Sequence, residues 1–214
     1  MSPIAIFYHC IISGRERQID PDYALALISA QMDALKRSGL ANAAQEFIIG
    51  VNGGDADCFA VACLCDSKPK IISHGKHATT EIHTLNVLRS WLPDHRGWNV
   101  LYHHTKGVST PNQADGWRRR MENACVWGWS ECVRGLDAGF DAAGCHWLTP
   151  EVHGGVIPSP FFGGTFWWAK SDYLLTLPPL PEAIWANRYE AETWIGKGTR
   201  RPKVLDFSPG WPTP

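Results

Sequence analysis

Residues 99–109, NVLYHHTKGVS, run from an apolar strand-like segment into two histidines, a threonine, a lysine and a glycine. If the strand persists, His103 and His104 point to opposite sides of a sheet. Lys106 can reach out as a point charge and Gly107 lets the backbone approach a ligand closely. A group of this kind neutralises a phosphate or diphosphate without a metal. A solvated strand end with a turn glycine is the ordinary alternative, and the residues alone leave both open.

Other stretches carry chemistry of their own. In GWRRRMEN (116–123) three consecutive arginines point in three directions on a helix, so only one or two face a common site; Arg118 or Arg119 is the candidate second diphosphate contact. In FFGGTFWWAK (161–170) two glycines precede Phe166, Trp167 and Trp168, whose rings make flat walls suited to a sugar ring or a base. Consecutive residues of a strand cannot all bury on one face, so one face is expected in the core and the other open. In RYEAETWIG (188–196) Glu190 and Glu192 fall on different faces of a helix, so one serves a pocket and the other is solvated or a cap. Glu192, followed by Trp194 and Ile195, is the preferred proton acceptor for a sugar hydroxyl.

The elements that must position these residues alternate. Strands are expected at 4–9, 46–51, around 69–73 and at the start of 99–109, with one more in 160–170. Asp20 caps a helix with Pro21 at its first position and Gly39 beyond its end; Leu25, Ile28, Met32 and Leu35 share its apolar face. A second helix starts from a threonine cap and stops at Pro93, lined by Ile82, Leu85, Leu88 and Trp91. A third is expected as one long helix over 115–137, with Met121, Cys125 and Cys132 on one side. NGGDAD (52–57) reads as a turn, and the alternation in FAVACLC places Cys63 and Cys65 on one strand face. The pattern is that of an α/β sheet with helices packed on it, in a single domain. In such sheets ligands bind beyond the carboxyl ends of the strands, where Tyr8-His9-Cys10, residues 52–57 and His103–Gly107 all fall.

Composition narrows the partners. With 214 residues, one domain with a real core is expected. The 20 basic and 21 acidic residues nearly cancel, which excludes a broad field for nucleic acid or an anionic membrane. No apolar run approaches the roughly 18 residues of a membrane span and no leader is evident, so a cytoplasmic chain is expected. The 7 cysteines form no C-x-x-C pair, which argues for reduced, mostly buried thiols.

Taken together, YHHTKGVS, GWRRRM, GCHW, GGTFWWAKSDYLLTLP and RYEAETWIG resemble a group of GT-A-fold glycosyltransferases and glycosyltransferase-like proteins from bacterial polysaccharide gene sets and large DNA viruses. The similarity spans about residues 80–196. It implies a GT-A-like, Rossmann-like, mixed and mainly parallel sheet flanked by helices, with about residues 1–110 binding a nucleotide-sugar donor and about 111–214 a glycan acceptor. Carried across, it places His104, Thr105, Lys106, Gly107 and Arg118 on the donor, and the position of Tyr8 and His9 at a strand end adds them to that set. Gly164, Thr165, Phe166, Trp167 and Trp168 fall on the acceptor, and Glu192, with Glu190 nearby, is the expected base of an inverting transfer in polysaccharide or surface-glycan synthesis. Thr165 replaces the usual Asn. Such enzymes commonly hold Mn²⁺ or Mg²⁺ on a D-x-D; the one here, Asp55-Ala56-Asp57, lies about one strand-helix unit too early, so Lys106 with an arginine is expected to stand in for the ion. A non-catalytic carbohydrate-binding domain using the tryptophans, or a metal-dependent hydrolase using His9, His103, His104 and Asp55, are the competing classes.

Overall fold

The structure is a computed structural model that describes residues 2–12, 19–75, 80–110, 113–151, 159–181 and 188–208. Its strands are β1 (Ile4–Ile11), β2 (Glu46–Asn52), β3 (Lys70–Ser73), β4 (Asn99–His104), β5 (Ala142–Gly144), β6 (Trp147–Leu148), β7 (Phe161–Phe162), β8 (Trp167–Lys170) and β9 (Val204–Asp206). Seven of them form one sheet in the order β3-β2-β1-β4-β8-β5-β9, and β6 pairs with β7 in a separate two-stranded ladder. Strands β3, β2, β1 and β4 are mutually parallel; β8 runs antiparallel to both β4 and β5, and β9 is parallel to β5. This is the mixed, mainly parallel sheet that the resemblance implies, within the α/β architecture that the alternating pattern predicts.

All eight residues of β1 are buried, as a strand covered on both faces requires. Its Ile4, Ile6, Tyr8 and Cys10 join the core under α1 (Pro21–Arg37) and the helical stretch after β4, whereas Ala5 and Phe7 join the core under α4 (Ile82–Trp91). Helix α1 forms as its signals direct: Asp20 accepts hydrogen bonds from the Asp22 and Tyr23 amides, Pro21 occupies the first turn, and Gly39 leaves the helix at φ +78°. Ile28, Met32 and Leu35 are buried, with Leu25 packed at the margin. In α4, Ile82, Leu85 and Leu88 are buried on the sheet, but Glu81 rather than a threonine holds the N-cap position.

Three expectations are corrected. After the short α2 (Leu40–Ala43) and β2, the segment read as a turn and a strand is the helix α3 (Asp55–Cys63). The Asp57 carboxylate accepts the Gly54 amide at 2.7 Å, and both acids lie in the first turn where the helix dipole favours them. Cys63 is exposed and Cys65 lies beyond the helix end, so they share no strand face. The long helix over 115–137 is interrupted: α5 (Asp115–Glu122) passes through a π-helical turn, Asn123–Trp127, into α6 (Trp129–Asp137). Met121, Cys125 and Cys132 still share the buried side. The single strand expected in 160–170 is two, β7 and β8, separated by a turn through Gly163 and Gly164. The remaining helices are α7 (Ser171–Leu174) and α8 (Arg188–Thr193), the latter running into a 3₁₀ turn, Trp194–Gly196.

His103 lies on the α1 side of β4, its ring 4.6 Å from that of Tyr8 and 5.5 Å from that of Phe166, with neither ring nitrogen hydrogen-bonded. Burial, and secondarily the neighbouring His104, pushes its pKa down to about 3. The unfolded chain therefore binds a proton near pH 6.5 that the folded chain refuses, so stability is complete above that pH and falls as pH drops towards 3. Between pH 7 and pH 5 this histidine is expected to remove about 1–2 kcal/mol. Denaturant titrations at both pH values check this: His103→Leu should flatten the pH dependence, and an unchanged slope would contradict the assignment.

Candidate functional site

A cleft of about 220 Å³ opens at the carboxyl ends of β1 and β4. It is lined by His9 and Ile11 from β1, Thr80 and Glu81 from the start of α4, the loop His104–Thr110, and Glu192 of α8. Backbone and side-chain bonds set this loop on the strand ends. The Thr105 amide donates to the His9 carbonyl at 3.1 Å, the Ile11 amide lies 3.4 Å from Thr105 Oγ1, and the Lys106 amide donates to the His104 carbonyl at 2.8 Å. Gly107 turns the chain at φ +87°, where a Cβ would also sit 2.8 Å from that of Ala114. Glu192 is held because its neighbours Ala191, Trp194 and Ile195 are buried, with the Trp194 indole donating to the Pro178 carbonyl and the Tyr173 hydroxyl donating to the Ile195 carbonyl.

Among the described residues no carboxylate is paired with Lys106. The imidazole of His104 donates from Nε2 to the Gly164 carbonyl at 2.8 Å, since a carbonyl only accepts, and Nδ1 then lies 4.0 Å from the Glu81 carboxylate. The buried Tyr102 hydroxyl donates to the same carboxylate at 2.9 Å; burial and that adjacent charge hold the phenol well above its ordinary pKa. The cleft thus brings together His9, His104, Thr105, Lys106, Gly107 and Glu192 of the sequence-predicted set. It adds Glu81, which sequence reasoning missed. An acid at the first turn of a helix reads as dipole compensation, and only the topology shows that this helix begins over the end of β4.

Other predicted residues lie elsewhere. Tyr8 points to the opposite face and donates to Gln31 Oε1 at 2.7 Å. Arg118 is engaged by Asp115 at 2.9 Å and Glu122 at 3.6 Å, and donates to the Lys106 carbonyl, so it supports the loop from behind. Phe166, Trp167 and Trp168 are at most 1% exposed, which corrects the expected open face: both sides of this strand are covered, and no sugar platform is formed by these rings. Trp168 donates instead to the Cys125 carbonyl in the π-helical turn at 2.8 Å. Gly164 and Thr165 form the buried turn that His104 grips, and Glu190 is paired with Lys197.

The D-x-D does not fit a divalent ion. Asp57 is committed to the Gly54 amide, Asp55 is exposed, and residues two apart on α3 diverge around the helix. Among the described residues no three His, Cys, Asp or Glu side chains converge as metal ligands.

A family model matches residues 7–193, and its description is a domain of unknown function, DUF8361. The chain belongs to that family. No protein of curated function matches the sequence. Among solved structures, the "putative nucleotide-diphospho-sugar transferase" of Desulfovibrio desulfuricans G20 is 14% identical and superposes with a TM-score of 0.54, covering 97% of this chain and 80% of its own. A mycobacterial protein is 14% identical at a TM-score of 0.49 over 89% of this chain, which spans only 59% of that protein's length. A 4-diphosphocytidyl-2C-methyl-D-erythritol synthase is likewise 14% identical, at a TM-score of 0.45. The first of these establishes a shared fold with a nucleotide-diphospho-sugar transferase-like protein. No helix among the described residues is long and apolar enough to cross a membrane.

Thr165 has φ +61° and is 1% exposed. A β-branched residue is strained in this left-handed region, whereas Asn enters it readily. Thr165→Asn in the DUF8361 chain is expected to gain about 1 kcal/mol, read as a higher melting temperature; a lower one would mean that packing of the threonine methyl outweighs the strain.

Proposed function

We propose that this chain is a glycosyltransferase that moves a sugar from a nucleotide-sugar donor to a hydroxyl of a glycan acceptor, with inversion, in polysaccharide or surface-glycan synthesis. The observation that carries the reading is the cleft itself: a lysine without a carboxylate partner among the described residues and a glutamate line one cavity at the carboxyl ends of parallel strands. The shared fold supports the reading, as do the residues His104–Gly107, which form one wall of the cleft.

In this reading Lys106 and the amides of its loop take the donor diphosphate, with about residues 1–110 forming the nucleotide-binding half. Glu192 accepts the proton of the acceptor hydroxyl. The acceptor oxygen bonds to the anomeric carbon while the bond from that carbon to the phosphate oxygen breaks, and the electron pair leaves on the nucleoside diphosphate. Lys106 stabilises the developing negative charge there, the task that a divalent metal performs in GT-A enzymes that hold one. Displacement from the opposite side inverts the anomeric centre. The Gly164 carbonyl orients His104, and Glu81, which accepts from Tyr102, adds a carboxylate 4.0 Å from the other ring nitrogen beside the reacting groups.

Calorimetric titration of a nucleoside diphosphate panel tests the donor site, followed by transfer assays with the matching nucleotide sugar. Lys106→Ala should weaken diphosphate binding by roughly tenfold or more, the share of one charge-assisted contact. Glu192→Gln should abolish transfer and leave diphosphate affinity within about twofold of the wild type. Undiminished transfer by the glutamine variant would remove Glu192 as the base, and absence of any nucleoside diphosphate binding would remove the donor site.

A further inference from the structure

One hydrogen-bonded chain at the cleft is not used by this mechanism. The Thr84 hydroxyl, fully buried on the first turn of α4, lies 2.8 Å from His9 Nδ1 and 2.9 Å from His74 Nε2. It occupies space that β2 leaves vacant: a Cβ on Gly50 would lie 2.0 Å from Thr84 Oγ1 and 2.4 Å from His74 Nε2. Gly50 is the register partner of His9, so the strand lacks a side chain where the two histidines must meet the hydroxyl. His9 itself lines the cleft.

A hydroxyl has one proton, so it donates to one of these imidazoles and accepts from the other. In one direction His74 Nε2–H donates to Thr84 and Thr84 donates to His9 Nδ1, which places both rings in the Nε2–H form that neutral imidazole side chains intrinsically favour. The reverse direction would place both in the less stable Nδ1–H form. We infer that Thr84 is a positioning residue that fixes His9 as its Nε2–H tautomer, turning a neutral donor to the cleft for a phosphate oxygen of a nucleoside diphosphate. The ligand class rests on the function proposed above; the tautomer does not. Burial, aided by His83 stacked 5.3 Å away, pushes the His74 pKa down to about 4; a His74 protonated below that pH still donates from Nε2 to Thr84, so its charge state does not reverse the chain. A neutral donor also adds a contact beside Lys106 without like-charge repulsion.

The test is a long-range ¹H–¹⁵N imidazole spectrum of the ligand-free protein, with His9 signals identified by their loss in His9→Gln, combined with nucleoside diphosphate titration. The wild type and Thr84→Ser should show His9 protonated at Nε2 and bare at Nδ1. The isosteric Thr84→Val should show mixed tautomers and bind the diphosphate about fivefold more weakly, whereas Thr84→Ser should stay within about twofold. Gly50→Ala, which displaces the same hydroxyl without altering Thr84, should reproduce the valine spectrum. A wild-type His9 protonated at Nδ1, or a valine variant unchanged in its spectrum, overturns the inference. If no nucleoside diphosphate binds the wild type, the proposed function fails and the spectra alone decide the tautomer.

Discussion

Two backbone carbonyls, those of Gly163 and Gly164, tie the parallel part of the sheet to the part that follows. His104 at the end of β4 donates to the second, and Trp117 on α5 donates to the first at 3.0 Å. The Gly163 amide in turn donates to the His146 carbonyl after β5, at 2.8 Å. Gly164 has no room for a side chain: at φ +94° its Cβ would sit 2.5 Å from Met121 Sδ and 2.8 Å from Trp117 Nε1. The turn therefore fixes the imidazole of His104, the placement of α5, and through Arg118 the carbonyl of Lys106. The stretches HTKG, WR and GGTFWW, far apart in sequence, meet in one hydrogen-bonded clasp. Only some of them face the cleft.

That clasp also distributes charge. A chain with formal net charge −1 attracts no anion over a distance, so any affinity must come from groups at the site. The arginine most suggestive of phosphate binding is neutralised in place by Asp115 and Glu122, and Glu122, whose pKa burial raises, is further held by the Gln31 amide. Arg118 acts as a rigid strut, its planar guanidinium spanning three oxygen partners at once. Lys106, with one charge on a flexible stem, is left as the cation of the loop. Around the cleft, Tyr102 is bonded to Glu81 and Thr84 to His9 and His74, whereas among the described residues Thr80 Oγ1 and Asn52 Oδ1 are buried without a hydrogen-bond partner.

The fold was legible wherever a local signal coincided with the tertiary outcome. Asp20, Pro21 and Gly39 bracket α1 by capping chemistry that acts within a few residues, and the apolar runs of β1, β2 and β4 reflect burial on both faces. Residues 55–65 were not legible because small apolar residues satisfy helix and strand periods alike, and Asp57 bonding back to Gly54 decides for the helix. The aromatic stretch misled for a different reason. Three adjacent rings cannot share a face, but a sheet covered on both sides buries both faces, and the coverage is supplied by helices remote in sequence. Glu81 and Thr84 carry no motif and become meaningful only when α4 is laid over the sheet.

The parallel register of β1 and β4 explains how one helix turn serves two histidines. His9 pairs with His104, so both rings emerge side by side on the α4 face, while their predecessors Tyr8 and His103 pair on the opposite face. Ile82, Leu85 and Leu88 anchor α4 on that face. Glu81 and Thr84, three residues apart, then project from the same side of its first turn, one towards His104 and the other onto His9. A one-residue slip of β1 against β4 would put Tyr8 beneath α4 beside His104 and bury His9 in the apolar layer under α1. The doublet His103-His104 is therefore two residues with opposite requirements, one held neutral among aromatic rings and one held between a carbonyl and a carboxylate, and the pleat of β4 is what separates them.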